Sequence, residues 1–338
     1  MGKILTISVA AYNAEGFLEE CLDSFIIEEI INMIEVLIID DGSTDNTYNI
    51  AKLYENKYPE TFKVIKKING GHGSTINEGI LNSTGKYFKI VDADDWVEKK
   101  GIIRLLNRLS EVDVDMVLND YYTVDEGTKE KTLIKLVNSN SVKLNEVLDI
   151  EKIYKDIKLE MHGVVIKTDI LKSMDRKITE GCFYVDVEYI LFPMKNVNTI
   201  LLLDFPVYDY RKGLNEQSTN LVNRQKRRDQ HEKVCLGLIN YYTEIQEEIS
   251  KEKNKLIKNR IILMVLSQYR IYCSMKGDKE LLNEIINFDN SIKNKNYNFY
   301  IEVLSEGKGL GEKKLCMVVD LLRKSKFKLY LPMMKFLR

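Results

Sequence analysis

Four consecutive residues, Asp92-Ala93-Asp94-Asp95, put three carboxylates at the end of the apolar run 86–91 (KYFKIV). Like charges this close disfavour one another's ionised form unless something cationic sits among them. A divalent ion meets that need. Magnesium and manganese prefer oxygen ligands, and magnesium characteristically takes one or two carboxylates and fills its other positions with water and substrate phosphates. Two of these carboxylates and a diphosphate would therefore suffice. A calcium loop of the EF-hand kind does not fit, because Trp96 and Val97 stand where such a loop needs a ligand and a glycine. The structural alternative is a solvated acidic turn capping a helix that begins near Trp96.

A second acidic segment, Asp40-Asp41-Gly42-Ser43-Thr44-Asp45-Asn46-Thr47, directly follows the run 36–39 (VLII). A helix N-terminus accounts for residues 42–46: Ser43, Thr44 or Asp45 can cap, and Gly42 permits the turn. It leaves two adjacent carboxylates at a buried strand end, where desolvation is costly unless a donor pairs with them. The imide N–H of a nucleobase could be that donor. A third segment, Gly70-Gly71-His72-Gly73, has the glycine content of a phosphate cradle at a helix start.

These segments need elements that bring them together. Residues 4–9 (ILTISV) and 36–39 read as buried parallel strands. Between them Leu18, Cys21, Leu22 and Phe25 recur at helical spacing, with Glu19, Glu20 and Asp23 on the opposite face. The alternation continues with a helix over 46–57, a strand over 62–66, a helix over 74–82 and a strand over 86–91, which predicts an α/β layered domain. Ligands bind such sheets beyond the carboxyl ends of the strands, so Asn13, Asp40, Asp41 and residues 92–95 converge on one rim. Strand-like stretches at 115–122, 162–167, 200–203 and 206–210 read as an extension of this domain. Beyond about 223 the chain reads as successive helices, broken near 277–278, 294–298 and 307–311.

The 338 residues suit a main domain plus an appendage. A net charge of -1 offers no general attraction for nucleic acid. The five cysteines, Cys21, Cys182, Cys235, Cys273 and Cys316, form no C-x-x-C pair and fit a reducing, cytoplasmic setting. The run 4–9 is too short for a signal sequence or membrane span, so we expect a chain that is neither secreted nor membrane-spanning. The tail 323–338 interleaves lysines with apolar residues, which suits either a docked terminus or peripheral contact with the inner face of a membrane.

Three blocks, ISVAAYNAEGFLEECLDSF (7–25), VLIIDDGSTDNT (36–47) and NGGHGSTINEGILNSTGKYFKIVDADDW (69–96), together resemble family 2 glycosyltransferases of the GT-A fold. With later matches the resemblance covers about 1–220. It implies a GT-A catalytic domain over 1–222 with a mostly parallel central sheet, followed by a helical region over 223–338. The implied activity is transfer of a sugar from a nucleotide diphosphate, with a UDP-sugar as the expected donor. The implied acceptor is a hydroxyl of a saccharide or lipid-linked saccharide in polysaccharide or glycoconjugate synthesis.

Residue by residue, the resemblance implies that Ala10, Tyr12 and Asn13 frame the nucleotide and that Glu15 holds their loop. Asp41 would receive the base. Asp92 and Ala93 would lie against the ribose, and Asp94 would hold Mn2+ or Mg2+, with Asp92 and Asp95 as the further metal candidates. Gly71 and Asn77 would help place the nucleotide. The family's nearby arginine is missing, and His72 could stand in as a donor to sugar or phosphate oxygens; the alternative is a surface-loop histidine.

The block 179–192 (TEGCFYVDVEYILF) resembles the family's acidic pair, with Val185 where an acid is common. It implies Asp186 as the base that takes the acceptor proton, with Glu180 or Glu188 as substitutes. Arg211, in 208–211 (YDYR), and Gln217-Ser218 resemble late elements that close over the diphosphate, where a guanidinium could stabilise the leaving group. Together these imply an inverting displacement. The rival readings are a nucleotidyltransferase making a sugar nucleotide and a catalytically silent nucleotide-sugar-binding protein. A dinucleotide oxidoreductase is disfavoured, because the first strand is not followed by G-x-G-x-x-G.

Overall fold

The computed structural model describes residues 2–137, 142–214 and 217–330. The chain divides into two compact units, Met1–Asn215 and Glu216–Arg338.

The first unit is built on a sheet of ten strands: β1 (Leu5–Ala11), β2 (Ile34–Asp40), β3 (Phe62–Lys66), β4 (Tyr87–Asp92), β5 (Trp96–Val97), β6 (Met116–Asp125), β7 (Lys131–Ile134), β8 (Val147–Asp149), β9 (Val164–Lys167) and β10 (Thr199–Lys212). The spatial order is β3-β2-β1-β4-β9-β6-β10-β5, with β7 on β6 and β8 on β10. The long pairings are parallel, β2 with β3, β1 with both β2 and β4, and β6 with β10. β9 is inserted antiparallel between β4 and β6. The sheet is thus mixed and mostly parallel.

Helices α1 (Leu18–Asp23), α2 (Thr47–Lys57) and α3 (His72–Asn82) connect the first four strands, and α4 (Lys99–Glu111) follows β5. The β-branched runs are buried as expected: Ile7, Val9, Ile38, Ile39 and Val91 are inside. Burial on both faces is what makes these strands continuous apolar runs. Ala10 pairs with Ile39 on one side and Asp92 on the other, which levels the ends of β1, β2 and β4 into one rim.

The acidic turn does not cap a helix at Trp96. Trp96 and Val97 instead pair with Asp209 and Tyr208 of β10. α4 starts at Lys99, where the Glu98 side chain accepts from the Gly101 N–H. A side chain at Gly101 would lie 1.9 Å from the Pro206 carbonyl, so its absence lets α4 press onto β10. The stretches 200–203 and 206–210 are one strand with irregular register between Leu203 and Tyr208.

The second unit is helical: Leu221–Lys226, Arg228–Ile245, Lys251–Cys273, Lys279–Lys295, Tyr297–Gly309 and Lys313–Lys324. Its breaks fall at helix N-caps supplied by Asp278 and Asn296. Within it Asp289 accepts from Arg323 Nε at 2.7 Å and from the Tyr269 and Tyr300 hydroxyls, a buried polar knot whose carboxylate is fully answered. Of the tail, Phe327 and Tyr330 are buried while Lys324, Lys326 and Lys328 are exposed; 331–338 lie outside the described residues. Among the described residues no helix is long and apolar enough to cross a membrane.

Candidate active site

Beyond β4 the backbone turns tightly. The Ala93 N–H donates to the Ala10 carbonyl at 3.2 Å and the Asp95 N–H to the Asp92 carbonyl at 3.0 Å. This turn gathers one oxygen from each of Asp92, Asp94 and Asp95 within 4.8 Å of one another. Burial, reinforced by the Asp92 charge, lifts the Asp94 carboxyl to about 6. Burial and then the Asp94 and Asp92 charges hold Asp95 well above the usual carboxylate range. Asp92 goes the other way: burial would raise it, but His72 and the charge of His162 outweigh that and lower it.

The three carboxylates are not equivalent. Asp95 is buried and braced from β10, with the Tyr208 hydroxyl donating to Oδ2 at 2.6 Å and the Arg211 N–H to Oδ1 at 2.7 Å. The Tyr208 hydroxyl also accepts from the Asp92 N–H at 3.2 Å. Asp92 Oδ1 lies 3.2 Å from His72 Nε2. Asp94 alone of the three has no hydrogen-bond or ion-pair partner for its side chain among the described residues. An all-oxygen set in which burial and mutual repulsion raise the pKa of Asp94 and Asp95 is the donor chemistry that a hard divalent cation fits, and Asp94 and Asp92 would hold it with Asp95 as their brace.

His72 is no surface-loop histidine. It opens α3; burial alone would lower its pKa, but the contact with Asp92 and the charges of Asp92, Asp186 and Asp94 outweigh that and raise it.

Arg211 differs from the expectation of a leaving-group ligand. Its guanidinium is buried on the rings of Trp96 and Phe17 and pairs with Glu20 and Glu126, while Nε donates to the Asp94 carbonyl at 2.7 Å. Burial pulls its pKa down, but the two carboxylates more than restore it. Arg211 therefore positions the acidic turn.

Asp41 is also answered from within. Lys67 Nζ donates to Oδ1 at 2.7 Å, the Gly70 N–H to Oδ1 at 2.9 Å and the Gly71 N–H to Oδ2 at 2.8 Å. No nucleobase is needed to offset its burial, and the two glycine amides that a phosphate cradle would use are spent on this carboxylate. Gly71, at φ 78, makes the turn that aims them.

Asn77 likewise binds protein: its amide accepts from the Ile178 N–H and donates to the Ile178 carbonyl and Glu180 Oε1. It ties residues 178–180 to α3. Gly73 allows that approach, since a side chain there would lie 2.0 Å from the Thr179 carbonyl oxygen.

The loops after β1 and β2 are laced together. Asn13, at φ 49, donates its N–H to Ser43 Oγ and accepts from the Thr44 N–H, while Glu15 Oε2 accepts from the Asn46 N–H. Tyr12 stands 53% exposed on this loop, beside the Ala10 carbonyl that holds Ala93. Gln217 and Ser218 belong to the second unit.

Asp186 is the first residue of the helix Asp186–Leu191, whose N-terminus has no side-chain cap. Its carboxylate has no hydrogen-bond or ion-pair partner among the described residues, and its charge raises both His72 and His162. The substitutes are committed elsewhere. Both oxygens of buried Glu188 accept from Thr179, and Glu180 accepts from Asn77. The sequence reading missed Lys67, Glu20, Glu126 and His162. The only available signal was position, Lys67 lying one residue past β3 on the same rim.

The model of the family described as Glycosyl transferase family 2 matches residues 6–181, more than half of the chain. The chain is 34% identical over 123 residues to Glycosyltransferase GlyA of Streptococcus pneumoniae, covering 36% of this chain and 17% of that protein. It is 26% identical over 185 residues to the Poly(ribitol-phosphate) beta-glucosyltransferase of Bacillus spizizenii, covering 53% of this chain and 29% of that one. The chain thus spans less than a third of either relative. In fold it is similar to S. aureus TarS 1-349 in complex with UDP-GlcNAc, with a TM-score of 0.60 at 19% identity over 91% of this chain and 92% of that one. It is also similar to a mannosyltransferase from Pyrobaculum calidifontis in complex with GDP-Man and Mn2+, with a TM-score of 0.51 at 12% identity over 99% and 85% of the two chains.

Proposed function

The chain belongs to glycosyl transferase family 2, and from that premise we propose that its first unit moves a sugar from a nucleotide diphosphate, a UDP-sugar, to an acceptor hydroxyl with inversion at the anomeric carbon. The observation that carries this reading is an unpartnered Asp94 in an acidic triad together with an unpartnered Asp186, both close enough for their charges to act on His72. One half can hold a donor diphosphate and the other can take a proton.

Asp94 and Asp92 would hold the divalent cation, which when bound would supply positive charge to the leaving diphosphate. Asp95, Tyr208 and Arg211 keep the turn in shape. His72, with its raised basicity, carries a proton toward phosphate or donor-sugar oxygens. The loop 10–15, fixed by Ser43, Thr44 and Asn46, presents Tyr12 to the nucleotide. Asp186 accepts the acceptor hydroxyl's proton on one carboxylate oxygen as the hydroxyl oxygen bonds to the anomeric carbon, and the bond to the nucleoside diphosphate breaks on the opposite face.

The UDP-sugar is supported by the fold shared with the TarS complex, and a polyol or saccharide acceptor by the relative named for poly(ribitol-phosphate). A cytoplasmic setting is supported by five free cysteines.

Asp186→Asn tests the reading. Donor affinity measured by calorimetry should stay within about twofold, while transfer falls by roughly 10²–10⁴, the usual worth of a general base. Full transfer in this variant would refute the base assignment.

A further inference from the structure

β9 runs antiparallel to β4, so its beginning lies at the rim where β1, β2 and β4 end. The turn that leads into it, Met161–Gly163, is held against the sheet from two sides. Gly163 has no room for a side chain, with the Asn119 carbonyl 2.3 Å from where one would start. Lys89, fully buried in β4, donates from Nζ to the His162 carbonyl at 2.6 Å. Burial takes that lysine down to about 7.

The His162 ring is fixed as tightly as its backbone. It stacks on Tyr210 at 4.3 Å and 25°, lies 4.9 Å from Tyr121, and meets Tyr208 edge-on at 5.0 Å. Tyr121 is itself fixed by donating to Glu160. Neither ring nitrogen has a hydrogen-bond partner among the described residues, and Nδ1 is buried. A packed imidazole whose buried Nδ1 is unanswered is costly unless something else completes it. The charged groups acting on the ring are Asp92 from β4, Asp186 from its helix, Glu160 at the start of the same turn and Lys89 from β4, so the ring is close to both the acidic turn and Asp186.

We propose that His162 is an acceptor-binding residue, whose imidazole takes one hydroxyl of a polyhydroxylated acceptor, a polyol or saccharide, and holds that molecule beside Asp186. This rests on the reading of Asp186 as the base. A hydroxyl both donates and accepts, so it suits whichever nitrogen carries the proton. A ring already locked by three tyrosines loses little freedom on binding. Burial lowers its pKa against the pull of the surrounding carboxylates, which favours the neutral form that can accept a hydrogen bond. Asp186 and the second oxygen of Glu160, whose charges both act on the ring, add acceptors for further hydroxyls.

The test uses the full chain with Mg2+, a UDP-sugar that it hydrolyses, and ribitol phosphate and methyl glycosides as acceptor probes. His162→Phe keeps the stacking and removes both nitrogens. It should raise the acceptor KM at least tenfold while donor KM and donor hydrolysis by water stay within twofold, and His162→Gln should recover part of the loss. An unchanged acceptor KM in folded His162→Phe overturns the proposal, because the nitrogens then meet only water. Retained transfer in Asp186→Asn alongside a raised KM in His162→Phe would sink the base assignment alone. No transfer to any probe by the wild type counts against both. Should His162→Phe fail to fold, the 15N resonances of His162 in the wild type decide: a saturable shift on adding the probe supports the site, and no shift overturns it.

Discussion

Asp94 and Asp95 are neighbours in sequence, yet one is bare and the other is bound on both oxygens. The difference comes from β10, which lays Tyr208 and the Arg211 N–H against Asp95 and leaves the Asp94 side chain without a partner among the described residues. In the metal-free protein the Asp94 carboxyl titrates at about 6. A metal ligand must be ionised, and a raised pKa means that protons compete at higher pH than usual. Mn2+ affinity is therefore expected to be level above about pH 7 and to weaken as pH falls through 6, by up to about tenfold per unit for one displaced proton. Calorimetric titrations at several pH values between 5 and 8 would show it, and a flat profile would remove Asp94 from the ligand set.

Asp41, Asn77 and Arg211 were legible in the sequence as site candidates because Asp41 follows a strand and all three stand in segments that resemble the family's. Their partners were not. Asp41 is answered by residues 26 to 30 positions later. Arg211 is answered by Glu20, 191 positions earlier, and Glu126. Local pattern carries no information on such meetings, so a residue spent on the fold reads the same as one held for a ligand.

At the scale of elements, β1 to β4 and α1 to α3 were readable from apolar runs and helical spacing, since burial on both faces leaves continuous runs of Ile and Val. β10 read as two strands because Asp204 and Pro206 interrupt it; an irregular register carries the strand past them. β9 is four residues long, and nothing in so short a run tells direction. That missed direction hid His162, which lies before a strand rather than after one.

The contact between α3 and residues 178–181 gives a test of how elements build the site. In Gly73→Ala the new methyl would meet the Thr179 carbonyl, and the helix or the loop 178–181 must shift. The expected result is a stability loss of about 1–3 kcal/mol in urea unfolding. Transfer should fall as well, because residues 178–181 lead directly to Asp186. Unchanged stability and transfer would mean that this packing is loose and does not set the position of the base.

For the whole molecule, a net charge of -1 leaves no broad field to gather an anionic donor. Local charge must do so, and the acidic triad can attract a diphosphate only by way of a cation. A ligand that binds the folded state alone raises stability by RT ln(1 + [L]/Kd), about 2.7 kcal/mol at a hundredfold excess over Kd. Thermal unfolding of the wild type and of Asp94→Asn, each with Mn2+, UDP-sugar, both or neither, is the most direct test of the central claim. The midpoint of the first unit is expected to rise when Mn2+ and UDP-sugar are present together, and Asp94→Asn to lose this joint rise while unfolding normally without ligands. A joint rise of equal size in Asp94→Asn would contradict that claim.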